Sequence, residues 1–223
     1  MLKILILATP ILLVLGLAVY SIWTLRVRKR VRKKERISTL IKASGDAGEK
    51  KVQTTLKVLE KSDKRYKIYH NIKLGPDIEH TNEFDTLVVG PNGIFHIETK
   101  NYGGERGGLL DIDLENNWLL HKRNGYSKTL INPISQVNSH EYRLNGFLNR
   151  HISSRNLPTR GIIVLSCDHL KYRFNQDRKL FKIPILHRKD IIKYIKRYNN
   201  GKTSIDSSLI QEICFHIELM NKI

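Results

Sequence analysis

A mixed α/β layer fold behind an N-terminal membrane-spanning helix is what this sequence predicts, on three observations. An uncharged run of twenty residues, Ile4 to Trp23, has about the length a helix needs to cross the hydrocarbon of a bilayer. After position 44 the apolar residues switch between helical and alternating periods, giving helix, strands, helix, strand, strand and helices in order. Two of the apolar strands, joined by a tight turn, also carry acids and a lysine beside Val, Ile and Phe.

The N-terminal run contains Pro10 and Gly16, which membrane helices tolerate, and ends in Tyr20 and Trp23, which suit the interface. A cleaved signal peptide is the competing reading. Its apolar core is normally about 7–15 residues, and Ala18-Val19-Tyr20 is a poor cleavage site. From Arg26 to Arg36 eight Lys or Arg stand against one Glu, a net of +7 over eleven residues, with only Lys3 ahead of the apolar run. The positive-inside rule then predicts a single-pass protein of the cell membrane whose C-terminal body is cytoplasmic. Topology and anionic lipid headgroups explain residues 26–36 without further assumption, and a nucleic-acid arm is the other use for such a run. The expected plan is a transmembrane anchor over residues 1–25, a basic juxtamembrane linker over 26–43 and one domain over 44–223.

Charge and cysteines narrow the function classes. The 223 residues carry a net +18, of which about +10 lies beyond the basic run, and this suits an anionic partner. Cys167 and Cys214 are far apart and lack the paired spacing of a zinc site, so they read as ordinary buried thiols of a reducing compartment.

In the body, Ser44-Gly45-Asp46 reads as a helix cap, and Val52, Leu56 and Leu59 recur at helical spacing to about Glu60. Glu49 shares that inward stripe; it either favours the dipole of a first turn or points into a site. Tyr66 to Leu74 is a predicted strand. Next comes Glu83-Phe84-Asp85 to Gly90, then Pro91-Asn92-Gly93, then Ile94 to Lys100. With Asn92-Gly93 as a type I′ turn, Pro91 pairs with Ile94, Leu87 with Glu98 and Asp85 with Lys100. Alternation then sets Asp85, Glu98 and Lys100 on one face, whereas an odd turn without a bulge would part them. Two carboxylates and an amine beside apolar neighbours are costly unless they serve something, and a divalent metal is the obvious candidate. An Asp85–Lys100 ion pair across the strands, worth about 0.2–1 kcal/mol, is the plainer reading but leaves Glu98 unexplained. His96 falls on the same face; it either touches substrate or is packed and satisfied, as a histidine beside apolar neighbours more often is.

The glycine-rich stretch Tyr102 to Gly108 lacks the Gly-Lys-Ser/Thr ending of a phosphate loop and reads as a flexible turn. Leu109–Leu114 and Trp118–Lys122 form a predicted hairpin around Glu115-Asn116-Asn117. Asn132-Pro133 opens a helix to about Arg150, with Val137, Leu144, Phe147 and Leu148 inward. Its Gln136, His140 and Arg143 fall on one polar stripe, by default the solvated face. Strands at Gly161–Ser166 and Phe181–Leu186 and helices at about Lys189–Tyr198 and Ile205–Asn221 complete the chain.

In this order Gly45-x-x-Gly48-Glu49, Phe84-Asp85, Asn92-Gly93-Ile94-Phe95-x-Ile97-Glu98-Thr99-Lys100-Asn101, Trp118 and Asn132-Pro133-x-x-Gln136 resemble the nuclease-related domain (NERD) family. The motif core runs over residues 45–150. The resemblance implies the PD-(D/E)xK nuclease superfamily and its restriction-endonuclease-like central mixed sheet flanked by helices. It implies Asp85 and Glu98 as metal ligands, Lys100 as the catalytic lysine, Glu49 as a helical acid lining the site and Gln136 as a supporting polar residue. Phe84 stands where the superfamily label has Pro, which leaves the chemical groups intact. The expected protein is a membrane-anchored nuclease of the DNA-processing kind, acting on DNA rather than RNA with magnesium or manganese, hard ions that oxygen ligands favour. A non-catalytic nucleic-acid-binding module of the same fold and a membrane scaffold binding lipid and protein are the alternatives.

Overall fold

A computed structural model describes the backbone of residues 2–104, 106–152, 156–198, 201 and 204–223, and their side chains apart from residues 2–19, 21 and 22. In chain order the elements are α1 (Leu2–Ser62), β1 (Lys67–Leu74), β2 (Asn82–Gly90), β3 (Gly93–Lys100), β4 (Gly108–Ile112), β5 (Trp118–His121), β6 (Ser127–Leu130), α2 (Ile134–His151), β7 (Thr159–Leu165), β8 (Leu170–Phe174), β9 (Ile185–His187), α3 (Ile191–Arg197) and α4 (Ser207–Asn221). The chain divides into two units, Met1–Ser44 and Gly45–Ile223.

In the first unit Tyr20, Trp23, Leu40 and Ile41 are exposed, and the basic run Arg26 to Arg36 is helical. Among the described residues no helix is long and apolar enough to cross a membrane. The expected span Ile4–Trp23 lies almost wholly outside the residues whose side chains are described. Ser44 and Asp46 do not start a helix as expected; both lie inside α1. Residues 26–43 are mostly good helix formers with no Pro or Gly to interrupt them.

The second unit is built on a five-stranded sheet in the order β1-β2-β3-β7-β9. β1, β2 and β3 pair antiparallel, and β3, β7 and β9 parallel. One face packs Leu87, Val89 and Ile94 against Leu144, Phe147 and Leu148 of α2 and Ile210, Ile213 and Ile217 of α4. The other packs Val88, Phe95, Ile97 and Ile162 against Val52, Leu56 and Leu59 of α1 and Ile191 and Ile195 of α3. A second, four-stranded sheet, β6-β5-β4-β8, buries Leu110, Ile112, Trp118 and Leu120 against Val137 and the end of β7. β6 and β8 were absent from the predicted elements. The last strand is shorter than expected, beginning at Ile185 instead of Phe181. Pro184 has no amide for the ladder, although its carbonyl accepts the Ile163 N–H at 3.0 Å.

The central hairpin corrects the expected register. Gly90 pairs with Gly93, Val89 with Ile94, Leu87 with His96 and Thr86 with Ile97. The turn residues are Pro91-Asn92, because proline's fixed negative φ suits the second position of a common turn and its missing amide is wasted in the ladder. The shift is by two residues, so parity survives and Glu98 still faces as expected. Counting on from Thr86 and Ile97 sets Asp85 opposite Glu98, not Lys100.

Candidate active site at the parting of two strands

β2 and β3 stop pairing after Thr86 and Ile97, and the Asp85 carboxylate enters the gap. Its Oδ2 accepts the Thr99 backbone N–H at 2.8 Å, replacing the ladder bond that β2 no longer supplies. On its other edge β2 also breaks step at Asp85: the β1 ladder runs from Lys67–Val89 to Leu74–Asn82 but skips Asn71, whose φ is 52°. The β1–β2 ladder thus breaks at the acid.

On β3, His96, Glu98 and Lys100 face α2. Glu98 is 2% exposed, and both of its oxygens are engaged. Lys100 Nζ donates to Oε1 at 2.5 Å, and Gln136 Nε2 donates to Oε2 at 2.9 Å. Lys100 Nζ also donates to Gln136 Oε1 at 3.1 Å, closing a triangle of acid, amine and amide. Asn132 sets the start of α2 that delivers Gln136, its Oδ1 accepting the Ile134 N–H at 3.0 Å while Pro133 already holds helical angles.

Glu49 reaches the cluster through the glycine before it. A Cβ on Gly48 would lie 2.7 Å from both Asn101 Cβ and Ser166 Oγ, so only glycine lets α1 approach the ends of β3 and β7 so closely. Because α1 continues upstream, Glu49 is not in a first turn, and the helix-dipole reading falls. Glu49 is half-buried, and its carboxyl is held above its usual range by burial first and by Asp85 second. Burial, then the Glu98 charge, likewise pushes Asp85 up, and burial raises Glu98 against the pull of Lys100.

These acids supply hard oxygen donors, and burial is the first cause of their raised proton affinity, with a neighbouring carboxylate second for Glu49 and Asp85. A divalent cation fits the set in donor type and in charge. Among the described residues no three His, Cys, Asp or Glu side chains already converge as a ligand group, and Glu98 gives its oxygens to Lys100 and Gln136.

The helix stripe expected to be solvated is half wrong. Arg143 is partly exposed, its guanidinium 5.7 Å from the Tyr142 ring. His140 is buried, with Nδ1 3.6 Å from Glu98 Oε2 and its ring 4.8 Å from that of Phe84. His96 is buried as expected, and its Nε2 bonds the Glu141 carboxylate, which also accepts from Thr159 Oγ1. Glu141 escaped the sequence reading. Helical spacing does not set it on the Gln136–His140 stripe, and only the sheet shows that it faces β3.

A mixed sheet between helices, with paired acids and a lysine where two central strands part, defines the class of PD-(D/E)xK nuclease-like domains. Residues 44–166 match the nuclease-related domain (NERD) family, and the chain belongs to it. An uncharacterized protein of Bacillus anthracis is 38% identical over 63 residues, which are 28% of this chain and 29% of that protein. The chain thus matches under a third of that relative's length. No solved structure matches.

Proposed function

We propose that this protein is a metal-dependent nuclease that hydrolyses phosphodiester bonds of nucleic acid, DNA in the first place. The observation that carries the reading is the triangle of Glu98, Lys100 and Gln136 beside Asp85 at the parting of β2 and β3. Asp85 and Glu98 would hold a magnesium or manganese ion, with Glu49 lining the same site. Such an ion supplies charge neutralisation at phosphate and a more acidic water. Lys100 would turn its ammonium to a phosphate oxygen or to the attacking water and stabilise the charge that develops. Gln136 keeps the Glu98 carboxylate and the Lys100 amine in register with each other. The Thr99 amide fixes one oxygen of Asp85 and leaves the other for the site.

We further propose that the apolar run Ile4 to Trp23 tethers the enzyme to the cell membrane with its domain in the cytoplasm. Residues 26–36 would rest on anionic lipids. The support is the sequence pattern, and protease protection of membrane vesicles tests it: a C-terminal domain shielded in right-side-out vesicles is expected, and one digested there refutes the orientation.

For the chemistry, the full-length protein, Asp85→Ala and Lys100→Ala are incubated with labelled single- and double-stranded DNA and RNA, with magnesium, manganese or EDTA. Metal-dependent cleavage by wild type is expected, with each variant slower by about 100-fold or more. Metal-independent cleavage, or full activity in both variants, refutes the assignment. Binding without cleavage under every condition leaves a nucleic-acid-binding module of the same fold.

A further inference from the structure

The second sheet carries a groove that the proposed chemistry does not use. Its volume is about 300 Å³, and Lys122, Arg123, Lys171, His121 and His169 line it above Gly108. Among the described residues no carboxylate lines it. The acid of this sheet face, Asp111, is 9% exposed and fully engaged: Arg173 Nε and Nη2 approach its two oxygens at 2.5 and 2.9 Å, and His121 Nε2 at 2.9 Å. The groove therefore presents cations and imidazoles whose positive field is not cancelled from within.

Two parts of its lining follow β3 and β7, the paired parallel strands of the central sheet, while Lys122 and Arg123 come from the β5–β6 turn. Lys100 ends β3, and the chain from Asn101 to Gly107 leads straight into the groove at Gly108. Leu165 ends β7, the Ser166 N–H donates to the Lys100 carbonyl at 3.1 Å, and His169 follows in the same loop. Gly107 has a φ of +69°, its N–H donates to the Gly103 carbonyl at 3.1 Å, and a Cβ on it would lie 2.2 Å from the His169 carbonyl oxygen. Gly107 thus lies against the His169 backbone at one wall of the groove.

We propose that this groove is a phosphate-backbone subsite that grips the nucleic-acid strand beside the phosphodiester presented to Asp85, Glu98 and Lys100. The proposal rests on the nuclease reading of that site for its substrate. Three cations at one place bind a polyanion through its phosphates and release counterions, so the contact is insensitive to base sequence and strongly salt-dependent.

The test uses the full-length protein in EDTA, where metal-dependent cleavage is silent, and a short fluorescein-labelled DNA followed by anisotropy over a range of salt. In Lys122→Ala/Arg123→Ala/Lys171→Ala the slope of log affinity against log salt is expected to become shallower by about 2–3. Lys57→Ala/Lys61→Ala/Lys64→Ala removes the same charge from exposed positions at the end of α1 and just past it, and is expected to change the slope by less than about 1. Lys122→Arg/Lys171→Arg keeps the wild-type slope. Should the triple variant lose its circular dichroism, Lys171→Ala alone is read, with an expected change of about 1. Equal losses in the two triple variants, or an unchanged groove variant, overturn the subsite, as does lost binding to anionic vesicles with DNA binding intact. The two readings fail separately. Wild type that binds through the groove but never cuts removes the nuclease, and wild type that cuts with a neutral groove variant removes only the subsite.

Discussion

Gly45 and Gly48 look alike in the sequence, yet they occupy opposite situations. A Cβ at Gly48 would stand 2.7 Å from Asn101 Cβ and from Ser166 Oγ, while nothing lies within 4 Å at Gly45. Alanine gains about 1 kcal/mol over glycine in a helix interior. Against that, the clash at position 48 costs about 1–3 kcal/mol, since the Asn101 Cβ is tied to the backbone. Thermal unfolding should therefore show Gly45→Ala more stable than wild type by up to about 1 kcal/mol and Gly48→Ala less stable; the reverse order would refute the close approach of α1. His140 gives a second test at this scale. Burial, aided by His96 and Lys100, lowers its pKa from 6.5 to about 4, so the folded protein keeps it neutral where the unfolded chain protonates it. The stability it contributes is complete above pH 6.5 and is lost as pH falls towards 4. Raised Asp85 acts in the opposite sense in wild type and variant alike. The stability of wild type minus that of His140→Gln should thus decline between those pH values, and a flat difference would deny the burial. Parity made Glu98 and Lys100 legible in advance, because an even shift of register leaves faces unchanged. His140 was not legible: periodicity groups residues into a stripe but does not say which stripe the sheet covers.

At the scale of elements, α2 matters because its first turns carry Gln136 and His140 to β3. Asn132 ties that start to the β4–β5 loop. Its Oδ1 accepts the Ile134 N–H, and its Nδ2 lies 3.2, 3.1 and 3.1 Å from the carbonyls of Asp113, Leu114 and Asn116. Asn132→Ala should cost about 1–2 kcal/mol in chemical denaturation and lower cleavage through misplacement of Gln136. Asn132→Asp, which keeps the acceptor but not the amide donor, should recover only part of the stability. An alanine variant as stable as wild type would show that the cap is idle. The Asn-Pro opening of α2 was plain in the sequence, as was the hairpin, whose turn was misplaced by one residue because Pro91 competes with Asn92-Gly93 for the bend. β6 and β8 were not. Ser127-Lys128-Thr129-Leu130 carries a single apolar residue, and Leu170–Phe174 becomes a strand by pairing parallel with β4, some sixty residues earlier. No local pattern records such a partner.

At the scale of the whole molecule, the family match and the folding unit do not coincide. The match ends at residue 166, ahead of β8, β9, α3 and α4. Those later elements cover both faces of the central sheet. Ile205, Ile210, Ile213 and Ile217 pack with Ile72, Leu74 and Phe84 on one side, and Leu186, Ile191 and Ile195 with Val52, Leu56 and Phe95 on the other. Polar bonds follow the same path: Ile205 N–H to the Pro91 carbonyl at 2.7 Å, Tyr69 Oη to Glu218 Oε1 at 2.8 Å, and Lys73 N–H to Asn221 Oδ1 at 2.8 Å. A chain cut after Ser166 would keep every candidate site residue, yet leave β1, β2 and β3 facing water on surfaces built for burial. Leaving several Leu or Ile side chains uncovered costs about 1.5–3 kcal/mol each, enough together to consume the whole stability of a domain. The truncated chain should therefore show no cooperative thermal transition and no affinity for nucleic acid beyond that of a disordered basic peptide. A sharp melt from it, with metal-dependent cleavage, would mean that the matched segment folds by itself and that the last quarter of the chain serves another purpose.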